Sequence, residues 1–245
     1  MNVQPVVSTL LAVTLWGVLP PSAEACSCGG SIPSSVAFRG ASAVFVGSVE
    51  RVDGPQPSSR RNADGSITAG LGSGPEVVTF VVTKAFRGVS ETRIRLKRTS
   101  GSCDIAFDLD EIWLVYASEE QGDLGADPCS RTRLIAQADE DVKYLEGLAS
   151  GKPQALIHGD VRRQIVGPDG QPAQQALFEP LEVVAVGAGR RFAVTTDKWG
   201  PYQLVLPPGD FEMWVERASA AVTAPVVVRI SNGDERRITF SAQFR

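Results

Sequence analysis

Runs of apolar residues in the first half of the chain predict a series of short strands. In residues 92–98, Ile94 and Leu96 alternate with Arg and Lys, which indicates a strand with one exposed face. Residues 53–75 are rich in Gly, Ser and Pro and predict a mobile loop. The predicted strands lie at 43–52, 76–86, 92–98, 111–117 and 131–137. Five such strands are economically assembled as a barrel with a terminal helix.

The helix that ends this half is predicted at residues 139–149. Its first turn carries three acidic residues, where the positive end of the helix dipole favours negative charge. Gly151 and Pro153 follow and predict where it ends. The apolar positions that would face the barrel are Val142, Leu145, Leu148 and Ala149. A second, short helix is predicted from Ser34, as its cap, to about Arg39.

From about residue 155 the pattern changes to closely spaced strands separated by Gly- and Pro-containing turns. We predict strands at 156–163, 181–186, 191–196, 202–206, 211–217, 225–230 and 236–244. Seven short strands in about 90 residues are typical of an antiparallel β-sandwich. The sequence therefore predicts an all-β chain with little helix, divided into a barrel domain at 26–152 and a sandwich domain at 155–245.

The first 25 residues have the pattern of a secretory signal peptide. Residues 6–19 are mostly apolar, but this stretch is shorter than the roughly 20 residues that cross a bilayer. Ala23-Glu24-Ala25 supplies a small-x-small cleavage site, which would make Cys26 the first mature residue. Lipidation of Cys26 is the second interpretation, since Ala23 stands where a lipobox usually has Leu. We predict a secreted protein, extracellular or periplasmic, with no membrane span.

The composition and charge of the chain exclude several classes of protein. The chain has 24 Lys and Arg against 28 Asp and Glu, so its net charge of −4 gives no basic excess for nucleic-acid binding. His158 is the one histidine, which excludes a multi-histidine metal site and leaves no second candidate for a Ser–His or Cys–His pair. We therefore predict a protein that is not an enzyme, uses no cofactor and binds no metal by itself.

The four cysteines, Cys26, Cys28, Cys103 and Cys129, agree with export. Four cysteines allow three disulfide connectivities. Cys26 and Cys28 are two residues apart, so in an extended segment their Cα atoms lie ~6.5–7 Å apart, which is poor disulfide geometry. Either remaining connectivity joins both N-terminal cysteines to Cys103 and Cys129. A reduced Cys-x-Cys metal clamp is the minority alternative.

Five short motifs give the first domain a resemblance to the netrin-like module of the tissue inhibitors of metalloproteinases, in its bacterial form. They are Cys26-Ser27-Cys28, Ala41-Ser42-Ala43-Val44-Phe45-Val46-Gly47, Gly101-Ser102-Cys103, Trp113-Leu114-Val115-Tyr116 and Cys129-Ser130-Arg131-Thr132. The resemblance covers roughly residues 26–149. It implies an oligonucleotide-binding-type barrel with disulfides Cys26–Cys103 and Cys28–Cys129.

The same resemblance implies a site at the mature N-terminus. In that family the α-amino group and carbonyl of the first Cys chelate the catalytic zinc of the target protease, the role that would fall to Cys26. Ser27 would enter the specificity pocket, Cys28 would anchor the segment, and Gly101-Ser102 would form a neighbouring strip. The chemistry is plausible because an α-amine has a pKa of ~7.7–8.0 and is therefore accessible in its neutral form. The implied partner is a zinc metalloprotease.

The second domain resembles the carboxypeptidase-regulatory or prealbumin-like sandwich. The motifs are Gly159-Asp160-Val161, Thr195-Thr196-Asp197, Gly200-Pro201-Tyr202-Gln203-Leu204 and Leu206-Pro207-Pro208-Gly209-Asp210-Phe211. Such a scaffold implies no function by itself. Trp199 falls in a predicted turn near Tyr202, and the two are candidate contacts for a sugar or another surface ligand. The alternative function is thus an extracellular or periplasmic binding or scaffolding module without inhibitory activity.

Overall fold

The structure is a computed structural model that describes residue 28 and residues 32–54, 58–61, 67–70, 76–98, 105–166, 171–175, 179–196, 200–218 and 220–242. Strands β1–β8 pair only among themselves within these residues, as do strands β9–β18. The first group comprises β1 (Ala43–Asp53), β2 (Ser58–Arg61), β3 (Ile67–Gly70), β4 (Glu76–Arg87), β5 (Arg93–Arg98), β6 (Ile112–Glu120), β7 (Asp123–Gly125) and β8 (Arg133–Leu134). The helices are α1 (Ser34–Gly40) and α2 (Asp139–Ser150).

The first group forms a nearly closed barrel, which confirms the predicted architecture. Its strands follow the order β5-β4-β1-β6-β7, and β8 also pairs with β6. The two ends of this order meet where Lys97 Nζ lies 2.7 Å from Asp123 Oδ2. Three irregularities in the β1–β4 register supply the bends that closing a small barrel requires.

Strand β1 is buried on both of its faces, which explains its continuous apolar sequence. Phe45 faces the barrel interior, in a row of edge-to-face aromatic rings formed by Phe45, Phe80, Phe107 and Trp113. Val44 and Val46 face the other way and pack with the helices, in a cluster that includes Leu145 of α2. The helices therefore cover one outer side of the barrel.

Three predictions for this half differ from the structure. The predicted loop at 53–75 contains the antiparallel hairpin β2–β3. The strand predicted at 131–137 is reduced to β8, and Ile135–Gln137 form a 3-10 helix. On α2 the side chains of Glu140 and Asp141 are buried, whereas Leu148 is 43% exposed. Gly151 does end α2, in the left-handed conformation typical of such a cap.

The second group forms two packed sheets, which confirms the predicted sandwich. One sheet contains β9 (Ala155–Val166), β10 (Pro172–Gln175), β13 (Pro201–Leu206), β17 (Glu235–Arg237) and β18 (Phe240–Ala242). The other contains β11 (Glu182–Gly187), β12 (Arg190–Thr195), β14 (Gly209–Arg217), β15 (Ala220–Ala221) and β16 (Val226–Ile230). Between them lies an apolar core that includes Leu204 and Met213. Strands β10 and β15 are additional to the seven predicted.

The last predicted strand is split, and its two pieces run parallel to β9 rather than antiparallel. Between the pieces, the backbone of Ile238 comes so close to β9 that a Cβ on Gly159 would lie 1.8 Å from the Ile238 carbonyl oxygen. Only a glycine permits this approach. The Ile238 N–H donates to the carbonyl of His158, at 2.9 Å, so the crossing is also hydrogen-bonded.

Candidate functional site

Most of the predicted site residues lie outside the described residues. These are the signal segment, Cys26, Ser27, Gly101, Ser102, Cys103 and Trp199. The structure does describe Cys28, the anchor that the resemblance implied, and the segment that follows from Ile32. The candidate site is therefore described by the residues that hold this part of the chain against the barrel.

A disulfide joins Cys28 to Cys129, with 5.4 Å between their Cα atoms, and confirms one of the two predicted pairs. Cys129 lies in the turn between β7 and β8, and its backbone N–H donates to Asp127 Oδ1 at 2.6 Å. Both cysteines are exposed, so the bond lies at the surface. With this pair formed, Cys26 and Cys103 are the two cysteines left for the second predicted bond.

Two residues after Cys129, Arg131 forms a second anchor. Its Nη1 donates to the carbonyl oxygen of Ile32 at 2.6 Å, while Nε and Nη2 each lie 2.7 Å from an oxygen of Asp141. This two-point pairing is nearly dry, since the side chains of Arg131 and Asp141 are 6% and 1% exposed. A bidentate pair of this kind fixes direction as well as distance. The chain just after Cys28 is therefore held by a charged group that cannot rotate freely.

The surrounding groups hold this ion pair in place. Asp141 Oδ1 also accepts a hydrogen bond from the Tyr116 hydroxyl, at 3.2 Å. Burial, reinforced by the nearby Asp141 charge, raises the pKa of Tyr116 far above its usual range, so the hydroxyl keeps its proton and remains a donor. Thr132 Oγ1 accepts from the backbone N–H of Tyr116 at 3.0 Å, which ties the turn to β6. Arg131, Asp141, Tyr116 and Thr132 therefore form a rigid polar cluster beneath Ile32, which we call the seat.

Arg131 itself adopts φ +69°, a left-handed conformation that costs a non-glycine residue about 1–2 kcal/mol. This conformation keeps Arg131 out of the predicted strand, which begins only at Arg133 and gives way to the 3-10 helix at Ile135–Gln137. The left-handed conformation is maintained by the contacts of the guanidinium with Asp141 and Ile32.

The capping residue predicted for α1 is wrong. Ser34 is the first residue of the helix, the cap position belongs to Pro33, and no side chain at that position caps α1. The Ser34 hydroxyl is buried without a hydrogen-bond partner among the described residues. Its backbone N–H instead donates to Oε1 of Gln203 in the sandwich, at 2.8 Å. A side chain 169 residues away thus does what the local sequence was expected to do.

Sequence reasoning did not identify Arg131, Asp141 or Gln203 as site residues. Arg131 stood within the motif Cys129-Ser130-Arg131-Thr132 and Asp141 in the acidic first turn of α2, but nothing in the sequence connects the two. The available signal was the position of Arg131 two residues after a predicted disulfide cysteine.

Of the two candidate ligand contacts in the sandwich, Trp199 and Tyr202, the structure describes Tyr202. Tyr202 is only 6% exposed, and its hydroxyl donates to the carbonyl of Ile238 at 2.9 Å. Burial raises the pKa of Tyr202 well above its usual range, in keeping with a core position. Tyr202 therefore has little surface to offer a ligand, and Trp199 stays a prediction.

Two other groups of ionisable side chains lie elsewhere in the described residues. The acidic stretch 108–111 forms an exposed turn in which Glu111 Oε2 accepts from the Asp108 N–H and from Trp113 Nε1. His158 is half-buried on β9, 3.7 Å from Glu235. Across the ranges that the structure covers, no three His, Cys, Asp or Glu side chains are grouped to hold a metal ion, and no helix is long and apolar enough to cross a membrane.

Comparison with known proteins finds a likeness among solved structures. No protein-family model matches the chain, and no curated protein matches it. Among solved structures, the chain is similar to "The Bacillus anthracis TIE protein", with 12% identity over 82% of this chain and a TM-score of 0.26. The match covers 31% of that protein's chain, so the present chain spans about a third of its length. A likeness at this level decides neither the fold nor the activity.

Proposed function

We propose that this chain is an exported, non-catalytic protein whose mature N-terminus binds and inhibits a zinc metalloprotease. The α-amino group and carbonyl of Cys26 form a five-membered chelate on the protease's zinc and displace its catalytic water. Ser27 enters the adjoining pocket, and Gly101-Ser102 lie alongside. The zinc belongs to the target, so this chain needs no metal of its own.

The observation that carries the proposal is the double anchor just after the chelating residue. Cys28 is bonded to Cys129, and four residues later the carbonyl of Ile32 accepts from the buried Arg131. Two residues extend the chain by at most about 7 Å, so Cys26 stays within that distance of the disulfide-bonded Cα of Cys28. Because the chain is fixed at Cys28 and Ile32, the N-terminus has less conformational freedom to lose when it chelates the zinc.

Export is the part of the proposal that the disulfide supports. Disulfides form and persist in oxidising compartments such as the periplasm and the extracellular space. The Cys28–Cys129 bond spans 101 residues and links the N-terminal segment to a turn beyond the barrel's sixth strand. A bond of this kind is compatible with a secreted protein.

The test compares two N-termini. The mature form beginning at Cys26 and the same form with one added Ala before Cys26 are assayed against a panel of zinc metalloproteases. The native form inhibits at least one enzyme, and the extension weakens inhibition by about a hundredfold, because it converts the amine into an amide. An Ala inserted in the exposed turn after Gly122 serves as the matched control and leaves inhibition unchanged.

Three results would contradict the proposal. They are equal inhibition by the native and extended forms, inhibition of no enzyme by the native form, and a natural N-terminus that does not begin at Cys26. The alternative, a module that binds a surface ligand or carbohydrate, receives no support from Tyr202 because that residue is buried.

A further inference from the structure

The segment Ile32–Ser35, which we call the N-terminal segment, contacts both β units. On the barrel side, the Ile32 carbonyl accepts from Arg131 at 2.6 Å. On the sandwich side, the Ser34 N–H donates to Gln203 Oε1 at 2.8 Å, and the Ser35 hydroxyl donates to Glu235 Oε2 at 2.8 Å. The segment thus runs through a junction whose two walls come from different halves of the chain.

Gln203 gives the sandwich its direct contact with the segment's backbone. It lies on β13 and is 5% exposed, so its amide oxygen is a fixed acceptor rather than a mobile surface group. The first N–H groups of a helix have no partner within the helix, and α1 has no capping side chain of its own. Without Gln203 the buried Ser34 N–H would lose its acceptor.

Glu235 holds the next residue through a small charged network. One of its oxygens accepts from the Ser35 hydroxyl and lies 3.7 Å from Arg39 of α1. The other lies 3.7 Å from His158 Nε2 on β9. The carboxylate therefore links α1, through Ser35 and Arg39, to the sandwich sheet.

The two units also meet at a separate place that does not touch the N-terminal segment. Glu140 of α2 accepts the backbone N–H of Val205 at 2.7 Å. The Gln154 side chain donates to the Tyr144 carbonyl at 2.8 Å and lies where a Cβ on Gly147 would be. The Glu140 and Gln203 contacts are equivalent in kind, since each side chain supplies an oxygen to a backbone N–H across the same boundary.

We propose that Gln203 and Glu235 are positioning residues for the N-terminal segment, so that partner binding at the mature N-terminus depends on the sandwich. The sandwich is then part of the binding site's support rather than an independent module. The contacts that position the segment belong to this fold and involve no protease, whereas the effect of those contacts on protease binding rests on the proposed function. The experiment therefore has one readout for each.

The first readout is the hydrogen-exchange rate of individual amides in the full mature protein, measured by NMR. Gln203→Met keeps the side-chain length and removes the acceptor, and we expect the Ser34 amide to exchange about ten times faster. Glu140→Met is the matched control, which speeds exchange of the Val205 amide and leaves that of Ser34 unchanged. Ser35→Ala, which removes the hydroxyl that donates to Glu235, provides a second variant if Gln203→Met does not fold.

An unchanged Ser34 exchange rate in Gln203→Met, or an equal acceleration in Glu140→Met, overturns the positioning role. So does an unchanged exchange rate around residues 33–36 in Ser35→Ala when Gln203→Met fails to fold. None of these results depends on a protease.

The second readout is the inhibition constant against an enzyme that the native form inhibits. Gln203→Met weakens inhibition about tenfold, and Glu140→Met leaves it unchanged. If the native form inhibits nothing while the exchange result holds, the proposed function fails and the positioning of the segment stands. If the native form inhibits and Gln203→Met inhibits equally well, the dependence of binding on the sandwich is overturned.

Discussion

The seat of the N-terminal segment and the core of the sandwich hold their parts by different means. The seat uses a buried ion pair between Arg131 and Asp141 and acts together with the disulfide. The sandwich core uses apolar side chains such as Leu204 and Met213 between two hydrogen-bonded sheets. Apolar burial does not fix the direction of a chain segment. In the sandwich, the hydrogen bonds between paired strands already fix the direction of each strand. The N-terminal segment lies in no strand, so polar contacts supply its direction, while Ile32 also packs against the apolar cluster over the barrel.

Helix α2 shows the same division within one element. Leu145 packs into the apolar cluster over the barrel, as the helical periodicity predicts. Glu140 and Asp141, in the acidic first turn, are also buried. Glu140 accepts from Val205 of the sandwich, and Asp141 accepts from Arg131 of the seat. These acids therefore act as specific acceptors in addition to matching the helix dipole.

The largest expected effect comes from removing the covalent anchor. The double variant Cys28→Ser and Cys129→Ser opens a loop of 101 residues and is expected to lower the free energy of unfolding by about 4–5 kcal/mol in the loop-entropy model. Urea denaturation of the mature protein measures this, and exchange around Ile32 should accelerate as well. An unchanged unfolding midpoint would mean that the seat holds the segment without the disulfide.

Breaking the ion pair between Arg131 and Asp141 is expected to lower the free energy of unfolding by nearly as much. Arg131→Met leaves the carboxylate of Asp141, 1% exposed, without its cation and should destabilise the protein by about 3–5 kcal/mol. The double variant Arg131→Met and Asp141→Leu removes the stranded charge and recovers part of that loss, as urea denaturation would show. If the double variant is less stable than the single one, the cost does not come from an uncompensated buried charge.

A cavity in the sandwich core should lower the free energy of unfolding without disturbing the seat. Met213→Ala, at a position with no exposed surface, is expected to lower the free energy of unfolding by about 2–5 kcal/mol. In native conditions the Ser34 amide should exchange as in the wild type, because Met213 packs in the core with Leu204, whereas the neighbouring Gln203 lies on the opposite face of β13. Faster exchange at Ser34 would show that the two regions are not separable.

The smallest effect concerns pH at the junction. Burial lowers the pKa of His158 below 6.5, Glu235 opposes the shift, and Arg237 reinforces it. Weaker influences come from Arg131 on the barrel side, which lowers the pKa further, and from Asp160, which raises it.

Below pH 6.5 the unfolded chain therefore binds a proton at position 158 before the folded chain does. Stability falls as the pH falls through this range, and the His158 contribution is fully present above pH 6.5. His158→Gln should lose less stability between pH 8 and pH 5 than the wild type, measured by urea denaturation at both values. A steeper loss in the variant would reverse the assigned direction of the shift.

Elements whose residues show a clear periodicity or a clear end signal could be predicted from the sequence. The alternation around Ile94 and Leu96 gave β5 its exposed and buried faces, and Gly151 marked the end of α2. The Cys28–Cys129 pair followed from resemblance and is confirmed. The cap of α1 was wrong because the Ser34 N–H finds its acceptor 169 residues away, in Gln203. The strand predicted at 131–137 is shorter because Arg131 adopts a left-handed conformation before β8 and Ile135–Gln137 form a 3-10 helix after it.

The sequence by itself determined most of the strands and both helices, and the barrel and sandwich that they form, because periodicity and turn residues act over a few neighbouring positions. Only the tertiary structure decided where the N-terminal segment lies. Its partners, Arg131, Gln203 and Glu235, are between 99 and 200 residues away. A buried polar contact depends on direction and distance in space, and these exist only after both β units have folded and met.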